Sequence, residues 1–147
     1  FMTAHVIAGM KQARAAGYPV AQDSLARGEQ WLRREFDQQR DARADLRAYL
    51  AYALGTKRDL DGVWPQREKL SAYGMAFLGL GLSTLKDPRA SELADQLVKL
   101  AVVQGGEASW PGERDPLLDF SSDITAETTA HVLKFLTRVR PESPLLA

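Results

Sequence analysis

The sequence predicts an all-α fold, and three observations support this prediction. Apolar residues recur at the three- and four-residue intervals of an α-helix in about six separate segments. No segment alternates apolar and polar residues for long, and β-branched residues are sparse, so we expect no strand. Short motifs recur near the start of several segments, which is typical of an array of antiparallel helical hairpins. We therefore treat residues 1–147 as a single all-helical segment.

The first half of the chain predicts three helices. We expect the first over 3–16, ending at Gly17, and the second over about 23–36. The third covers 46–54 and ends at Gly55. A turn-rich link then follows over 56–66.

The second half predicts three more helices. The fourth, over 70–85, is apolar around most of its circumference, so we expect it to be buried on more than one side. Asp87 followed by Pro88 predicts a capped start for the fifth helix, which we expect to stop at Gly105 and Gly106. A long loop runs to about residue 122, and the sixth helix covers 124–139.

Composition favours a globular protein without a strong electrostatic field. The hydrophobic fraction is 45% and the charged fraction 26%, while 19 basic side chains balance 19 acidic ones. No net charge therefore attracts nucleic acid or acidic lipid, and we expect neither as a partner. A local basic cluster is typical of a solvated helix face, because acidic residues interleave with it. Its members are Arg33, Arg34 and Arg40, and the acidic residues are Glu35, Asp37 and Asp41.

Cysteine is absent, which excludes a disulfide, a zinc–thiolate site and a cysteine nucleophile within these residues. No run approaches the roughly 18 apolar residues that a membrane helix needs, so we expect no membrane insertion by this segment. The first residues have neither the basic stretch nor the apolar stretch of a signal peptide. Since the chain begins within a helical pattern and stops where another helix could start, we expect it to be part of a longer protein.

Two motifs repeat along the chain. Thr-Ala-His-Val occurs at 3–6 and again at 129–132, and Ser-Ala-Tyr-Gly at 71–74 is a looser version. Trp-Pro occurs at 64–65 and at 110–111, each time beside a turn. Small residues near helix starts let neighbouring helices approach closely, and tryptophan can close the end of a helical hairpin. These repeats favour stacked α-hairpins.

Four stretches of the chain resemble one family. Residues 1–18, which contain Thr-Ala-His-Val-Ile-Ala-Gly, are similar to a segment of the complement-like thioester domain of the alpha-2-macroglobulin family, most closely its bacterial members. Residues 70–76 resemble the next inner helix of that domain, and 127–133 resemble its Glu-x-Thr-Ala signature. Residues 141–146 resemble the approach to the following helix. The likeness covers essentially the whole chain but only part of the family domain.

The resemblance implies a partial α/α toroid, in which helical hairpins form an inner and an outer ring. It makes the first, fourth and sixth helices candidates for the inner ring. Family members are large periplasmic or extracellular proteins that trap proteases and acylate them through an internal thioester. On this basis the partners are neighbouring domains of the parent chain and, through the parent, target proteases.

The reactive thioester of that family is not expected in this segment. It requires a Cys-x-Glu-Gln motif, and this chain has no cysteine. Arg27-Gly28-Glu29-Gln30 resembles the motif, but arginine offers no sulfur and the tetrapeptide lies in the middle of a predicted helix. We therefore predict no enzyme activity and name no catalytic, cofactor-binding or metal-binding residue.

Individual residues that suggest chemistry also have structural interpretations. His5 and His131 could serve as a general base or a ligand, but we expect each ring to pack between helices with one nitrogen hydrogen-bonded. The acidic residues Asp115, Asp119 and Asp123 suggest calcium, yet their spacing does not follow a calcium loop, and Asp123 suits a helix cap.

Aromatic and sulfur-containing side chains are expected mainly in the core. Trp64 and Trp110 could stack on sugars or peptides, although packing at hairpin ends is the expected role. Met10, Trp31 and Phe77 are predicted to be core residues.

Two other classes of protein remain open. One is an enzyme on a toroid, such as a glycoside hydrolase or a terpenoid-cyclase-like protein, which would need paired carboxylates; the loop candidates are Asp59, Asp61, Glu107 and Glu113. The other is a free-standing helical module that binds peptides on its concave face. Apolar residues at both ends favour the fragment, and we expect the isolated chain to dimerise or to need its neighbours for full stability.

Overall fold

The computed structural model describes residues 2–39, 42–112 and 123–146, most of which are helical. These residues form seven α-helices, a short antiparallel hairpin and two 3-10 helices. The α-helices are α1 (Met2–Ala15), α2 (Gln22–Gln38), α3 (Ala44–Leu54), α4 (Lys57–Val63), α5 (Ala72–Thr84), α6 (Arg89–Leu100) and α7 (Thr125–Val139). The strands are β1 (Val102–Gln104) and β2 (Glu107–Ser109), and the 3-10 helices cover Trp64–Lys69 and Pro144–Leu146. The all-α prediction is confirmed, apart from the small hairpin.

The helices pack in two layers. In one layer α1 contacts α3, α3 contacts α5, and α5 contacts α7, so the odd-numbered helices lie in a row. The other helices cover this row: α2 packs on α1 and α3, α4 on α3 and α5, and α6 on α5 and α7. Each covering helix therefore bridges two members of the row.

Helix α5 lies at the centre of the core. Every residue from Tyr73 to Leu82 is buried, as the apolar pattern of this segment predicts. Its first turn is capped by the Ser71 hydroxyl, which accepts a hydrogen bond from the Gly74 amide at 3.4 Å. The Asp45 carboxylate in turn accepts a bond from the Ser71 amide at 2.9 Å, which ties the start of α5 to α3.

The covering helices bury one stripe only. In α2 the buried residues are Leu25, Leu32 and Phe36, one or two turns apart on a single face. Helix α6 starts as predicted, because the Asp87 carboxylate accepts a hydrogen bond from the Arg89 amide at 3.1 Å. None of the helices among the described residues is long and apolar enough to cross a membrane.

Two predictions of secondary structure were wrong. The link over 56–66 contains α4 and the start of a 3-10 helix, and the segment after α6 forms a hairpin instead of continuing as helix and loop. Gly105 and Gly106 both have positive φ values, 60° and 88°, so they form the two-residue turn of this hairpin. Helix α6 ends earlier, at Leu100.

The predicted core residues divide into three groups. Phe77 is buried as expected, and Met10 packs at the edge of the core. Trp31 was predicted wrongly, since it is 41% exposed, and Val6 of the predicted apolar face of α1 is also exposed. A helix position can be apolar and still lie outside the contact stripe, because only the neighbouring helices decide where that stripe runs.

The two Trp-Pro tryptophans have different surroundings. Trp110 is fully buried, and its indole nitrogen donates a hydrogen bond of 2.7 Å to the Leu97 carbonyl at the end of α6. This confirms its predicted packing role. Trp64 is half-buried between the guanidinium groups of Arg67 and Arg89, which lie 4.8 Å and 5.0 Å from its ring centre.

Candidate functional site

A polar and aromatic cleft lies along the row of odd-numbered helices. Its volume is about 340 Å³, and α1, α3, α5 and α7 all contribute to its walls. The lining side chains that carry a ring or a polar group are His5, Gln12, Tyr49, Tyr52, Tyr73, Phe77, Glu127, His131 and Lys134. Both histidines of the chain are among them.

Phe77 of α5 is the centre of the cleft floor. The ring centres of Tyr49, Tyr52 and Tyr73 lie 4.8, 5.2 and 4.9 Å from it, and the edge-on geometry of Tyr49 and Tyr73 is favourable for aromatic pairs. The His131 ring lies 4.4 Å from Phe77 and 5.7 Å from Tyr73. Rings from three helices, α3, α5 and α7, therefore form one continuous aromatic surface.

Hydrogen bonds orient the polar groups around this floor. The Tyr73 hydroxyl donates to Glu127 Oε1 at 3.0 Å, and the Tyr49 hydroxyl pairs with His5 Nδ1 at 3.2 Å. Burial raises the pKa of Tyr49 to about 12, so this phenol stays neutral at physiological pH.

The imidazole of His131 is held in its neutral form. Burial lowers its pKa below 6.5, and the positive charge of Lys134 acts in the same direction. Glu127 opposes this effect, because its carboxylate lies 3.7 Å from His131 Nε2. The net result at neutral pH is an uncharged aromatic ring between an acidic and a basic side chain of the same helix.

The repeated motifs account for three lining residues. The third residue of each copy is His5, Tyr73 or His131, and all three line the cleft. A fourth lining residue, Tyr49, also follows an alanine, as His5, Tyr73 and His131 do. This shared alanine–ring pair is the sequence signal that could have identified Tyr49. Each of the four helices of the row thus presents an aromatic or imidazole ring to one cleft.

The prediction for the histidines is confirmed in part. The His131 ring packs between α5 and α7, against Tyr73 and Phe77. His5 has the expected hydrogen bond through Nδ1, but its side chain is exposed instead of packed between helices. The reason is position: His5 lies on the wall of the open cleft, where solvent reaches its side chain.

The tetrapeptide at 27–30, which resembles a thioester motif, has a structural role. It lies within α2, where Gly28 packs close to Ile7 of α1 and Glu29 pairs with Lys11 at 2.8 Å. Arg27 Nη2 donates to the Ser24 hydroxyl at 3.3 Å on the same helix. The Gly28 and Glu29 contacts fasten α2 to α1.

The basic cluster near the end of α2 is not simply a solvated face. Arg33 pairs at 3.0 Å with Asp59, which is fully buried and also accepts a bond from the Thr56 hydroxyl. Arg34 is exposed, whereas Arg40 and Asp41 lie outside the described residues.

None of the described carboxylates that were considered for a glycosidase lines the cleft. Asp59 is engaged with Arg33, Asp61 pairs with Lys57 and Arg89, and Glu107 is exposed on β2. Glu113 lies outside the described residues. Among the described lining residues Glu127 is the one carboxylate, so the structure does not bring a carboxylate pair together here.

Of the aspartates considered for calcium, Asp123 is the one within the described residues. Asp115 and Asp119 lie outside the described residues, and the Asp123 carboxylate accepts a hydrogen bond of 2.9 Å from the Thr125 amide at the start of α7. Asp123 therefore caps this helix, as expected. Within 2–39, 42–112 and 123–146, no group of three or more acidic, histidine or cysteine side chains is placed to hold a metal ion.

The cleft can bind a ligand by stacking and by hydrogen bonds to tyrosine and imidazole. It also has one charged side chain at each end of its α7 wall, Glu127 and Lys134.

Comparison with known proteins does not identify the role of the cleft. No protein-family model, curated protein or solved structure matches the chain.

Proposed function

We propose that this chain is a structural portion of the thioester domain of a bacterial alpha-2-macroglobulin-like protease-trapping protein. In this role it forms part of an α/α toroid and does not carry the reactive thioester. The parent protein acts in the periplasm or outside the cell, where it meets its target proteases. The observation that carries the proposal is the alternation of helices between two layers along the chain.

This alternation is what a sector of a toroid requires. The odd-numbered helices, which contact one another in order, would form the inner ring, and the covering helices would form the outer ring. The first, fourth and sixth predicted helices correspond to α1, α5 and α7 of this row. Helix α3 belongs to the same row, so the inner ring would contain one more helix than the sequence suggested.

The outer sides of the row's two end helices also support the proposal. On α1, Met2 and Val6 are 68% and 54% exposed. On α7, Ala126 and Ala130 are exposed and one turn apart, which forms a smooth strip that a further helix could approach closely. Adjacent helices of the parent domain would cover both surfaces.

The coding sequence before residue 1 provides the first test. A Cys-x-Glu-Gln motif within the preceding hundred or so residues, together with a distant signal peptide, is the expected result. Methylamine should then inactivate protease trapping by the intact parent, because it consumes a thioester. A stop codon in frame directly before residue 1 would contradict the proposal and favour a free-standing helical interaction module.

The oligomeric state of the isolated chain is a second test. Because exposed apolar residues on α1 promote association, we expect the chain to dimerise or to gain stability when the adjoining helices are included. Light scattering after size-exclusion chromatography measures the mass. A monodisperse monomer whose melting temperature does not change on extension would count against the proposal.

A further inference from the structure

We propose that the cleft binds an ω-amino carboxylate, the chemical group that a C-terminal lysine residue presents. The proposal rests on the two charged side chains of its α7 wall, Glu127 and Lys134. They are seven residues apart on one helix, which places their backbones about 10 Å apart. It is independent of the role proposed for the parent protein.

The two charges share one face of the helix with an aromatic ring between them. Residues 127, 131 and 134 follow the spacing of a single helical stripe, and all three line the cleft. The His131 ring, between the two charges, continues the surface formed by Tyr73 and Phe77. An acidic end, an aromatic floor and a basic end therefore occur in that order.

The acidic end is held in place and accessible. The Tyr73 hydroxyl donates to Glu127 Oε1 at 3.0 Å, which restricts the carboxylate, while 52% of the Glu127 side chain remains exposed. A ligand ammonium group can therefore form a charge-assisted hydrogen bond to it.

The middle of the cleft suits a methylene chain. The imidazole of His131 is neutral because burial lowers its pKa, and the buried Tyr49 phenol is neutral as well. Apolar stacking of an aliphatic chain on these rings is favourable, whereas a charge at this point would gain nothing. The ligand charges therefore belong at its two ends.

The length of the ligand follows from the spacing of the charges. Extended 6-aminohexanoate, with five methylene groups, separates its nitrogen from its carboxylate oxygens by about 8 Å. Lying beside the α7 wall, with an oblique hydrogen bond of about 3 Å at each end, it matches the roughly 10 Å between the backbones of Glu127 and Lys134. In 6-aminohexanoate and in lysine the same number of bonds separates the terminal nitrogen from the carboxylate.

Nuclear magnetic resonance titration of the full chain is the direct test. The probe is 6-aminohexanoate, and the comparison compounds are hexylamine and hexanoate, each of which has one charged end. We expect 6-aminohexanoate to shift the signals of His131 and of the cleft tyrosines, and to bind about tenfold more tightly than either comparison compound. Equal affinity for hexylamine or hexanoate, or no shift of these signals, would overturn the proposal.

Charge-removing variants locate the two ends. Glu127→Gln and Lys134→Gln should each weaken 6-aminohexanoate binding by about tenfold. Glu107→Gln and Lys99→Gln remove the same charges from exposed positions outside the cleft and should leave binding unchanged. Equal effects of the cleft variants and the control variants would contradict the assignment. If a cleft variant fails to fold, the comparison of 6-aminohexanoate with hexylamine and hexanoate on the unaltered chain still tests the proposal.

A last comparison identifies the source of the ligand. Nα-acetyl-lysine has the charges of a peptide's C-terminal lysine, free lysine adds an α-ammonium group, and Nα-acetyl-lysine amide lacks the carboxylate. We expect Nα-acetyl-lysine to bind most tightly, since the extra ammonium of free lysine would lie beside Lys134. Tighter binding of free lysine would contradict a C-terminal lysine as the source, and equal binding of the amide would contradict recognition of a carboxylate.

Discussion

Helices α5 and α2 show how the same chain builds a central helix and a covering helix. In α5 ten consecutive residues, Tyr73–Leu82, are buried, whereas α2 buries three of its 17. Helix α5 has neighbours in both layers, since it contacts α3, α4, α6 and α7. Helix α2 packs mainly on α1 and α3 and forms ion pairs with α4, and most of its residues are exposed.

The glycines of the two helices reflect this difference. A Cβ atom at Gly79 of α5 would overlap the Phe135 ring of α7, and one at Gly81 would lie 2.6 Å from Leu60 of α4. A Cβ atom at Gly28 of α2 would lie 3.3 Å from the flexible side chain of Ile7. The central helix therefore needs glycine for close approach on two sides, while the covering helix has space for a small side chain.

The largest expected effect is the loss of a core leucine. Leu80→Ala in α5 should lower the free energy of unfolding by about 4 kcal/mol, because a cavity at the centre of two layers cannot collapse. Leu25→Ala removes an equally buried side chain from α2 and should cost about 2 to 3 kcal/mol, since α2 can shift toward the gap. Urea unfolding of both variants gives the comparison. A larger loss of unfolding free energy for Leu25→Ala than for Leu80→Ala would contradict the distinction between a central and a covering helix.

Adding a methyl group at a glycine should affect the stability of α5 and α2 differently. Gly79→Ala is expected to lower the free energy of unfolding by about 2 kcal/mol, because the buried Phe135 ring must move. Gly28→Ala should change it by less than about 0.5 kcal/mol, since helix propensity offsets a small adjustment of Ile7. Thermal and urea unfolding test both variants. Similar losses in the two would show that α2 is packed as tightly as α5.

A third glycine provides the exposed reference. Gly9 lies within α1, and a Cβ atom there would contact nothing within 4 Å. Gly9→Ala should therefore raise the free energy of unfolding by about 0.5 to 1 kcal/mol, because alanine loses less backbone entropy in a helix. A decrease would indicate an unrecognised contact at this position of the cleft wall.

The smallest expected effect concerns His131, at the boundary between the packed core and the open cleft. Its folded-state pKa is lowered below 6.5, so the unfolded chain binds more protons just below that pH. Stability from this group is therefore present above about pH 6.5 and decreases as the pH falls through the folded pKa. Urea unfolding between about pH 5 and 8 should show this decrease, and His131→Gln should reduce it.

Two neighbouring side chains shift this titration in opposite directions. Glu127→Gln should lower the pKa of His131 further, because the carboxylate favours the protonated ring. Lys134→Gln should raise it, because a like charge is removed. Nuclear magnetic resonance titration of the imidazole measures both shifts. Unchanged values in both variants would place His131 away from these two charges.

Local patterns were sufficient for most of the helices. Apolar spacing predicted α1, α2, α3, α5, α6 and α7, and the continuous apolar composition of α5 predicted its burial on more than one side. Gly17 and Gly55 do follow the first and third helices with positive φ, and Asp87 does cap α6. These features depend on interactions within a few residues, so they can be predicted from the sequence alone.

The short elements were missed for a related reason. Helix α4 has seven residues, too few for its apolar spacing to stand out from a turn-rich link. The strands of the hairpin have three residues each, and their Gly-Gly turn was read as a helix stop. A two-residue Gly-Gly turn between Val-Val-Gln and Glu-Ala-Ser is a known hairpin signal that could have corrected this reading.

The sequence by itself determined six of the seven described α-helices and the motif that recurs in three segments of the chain. Only the tertiary structure decided that Tyr49, Tyr73 and His131, far apart along the chain, meet around Phe77 in one cleft. It also decided that Trp110 is buried while Trp31 is not. Helix formation follows from local periodicity, whereas burial and the meeting of side chains follow from which helices become neighbours, a choice that no local pattern contains.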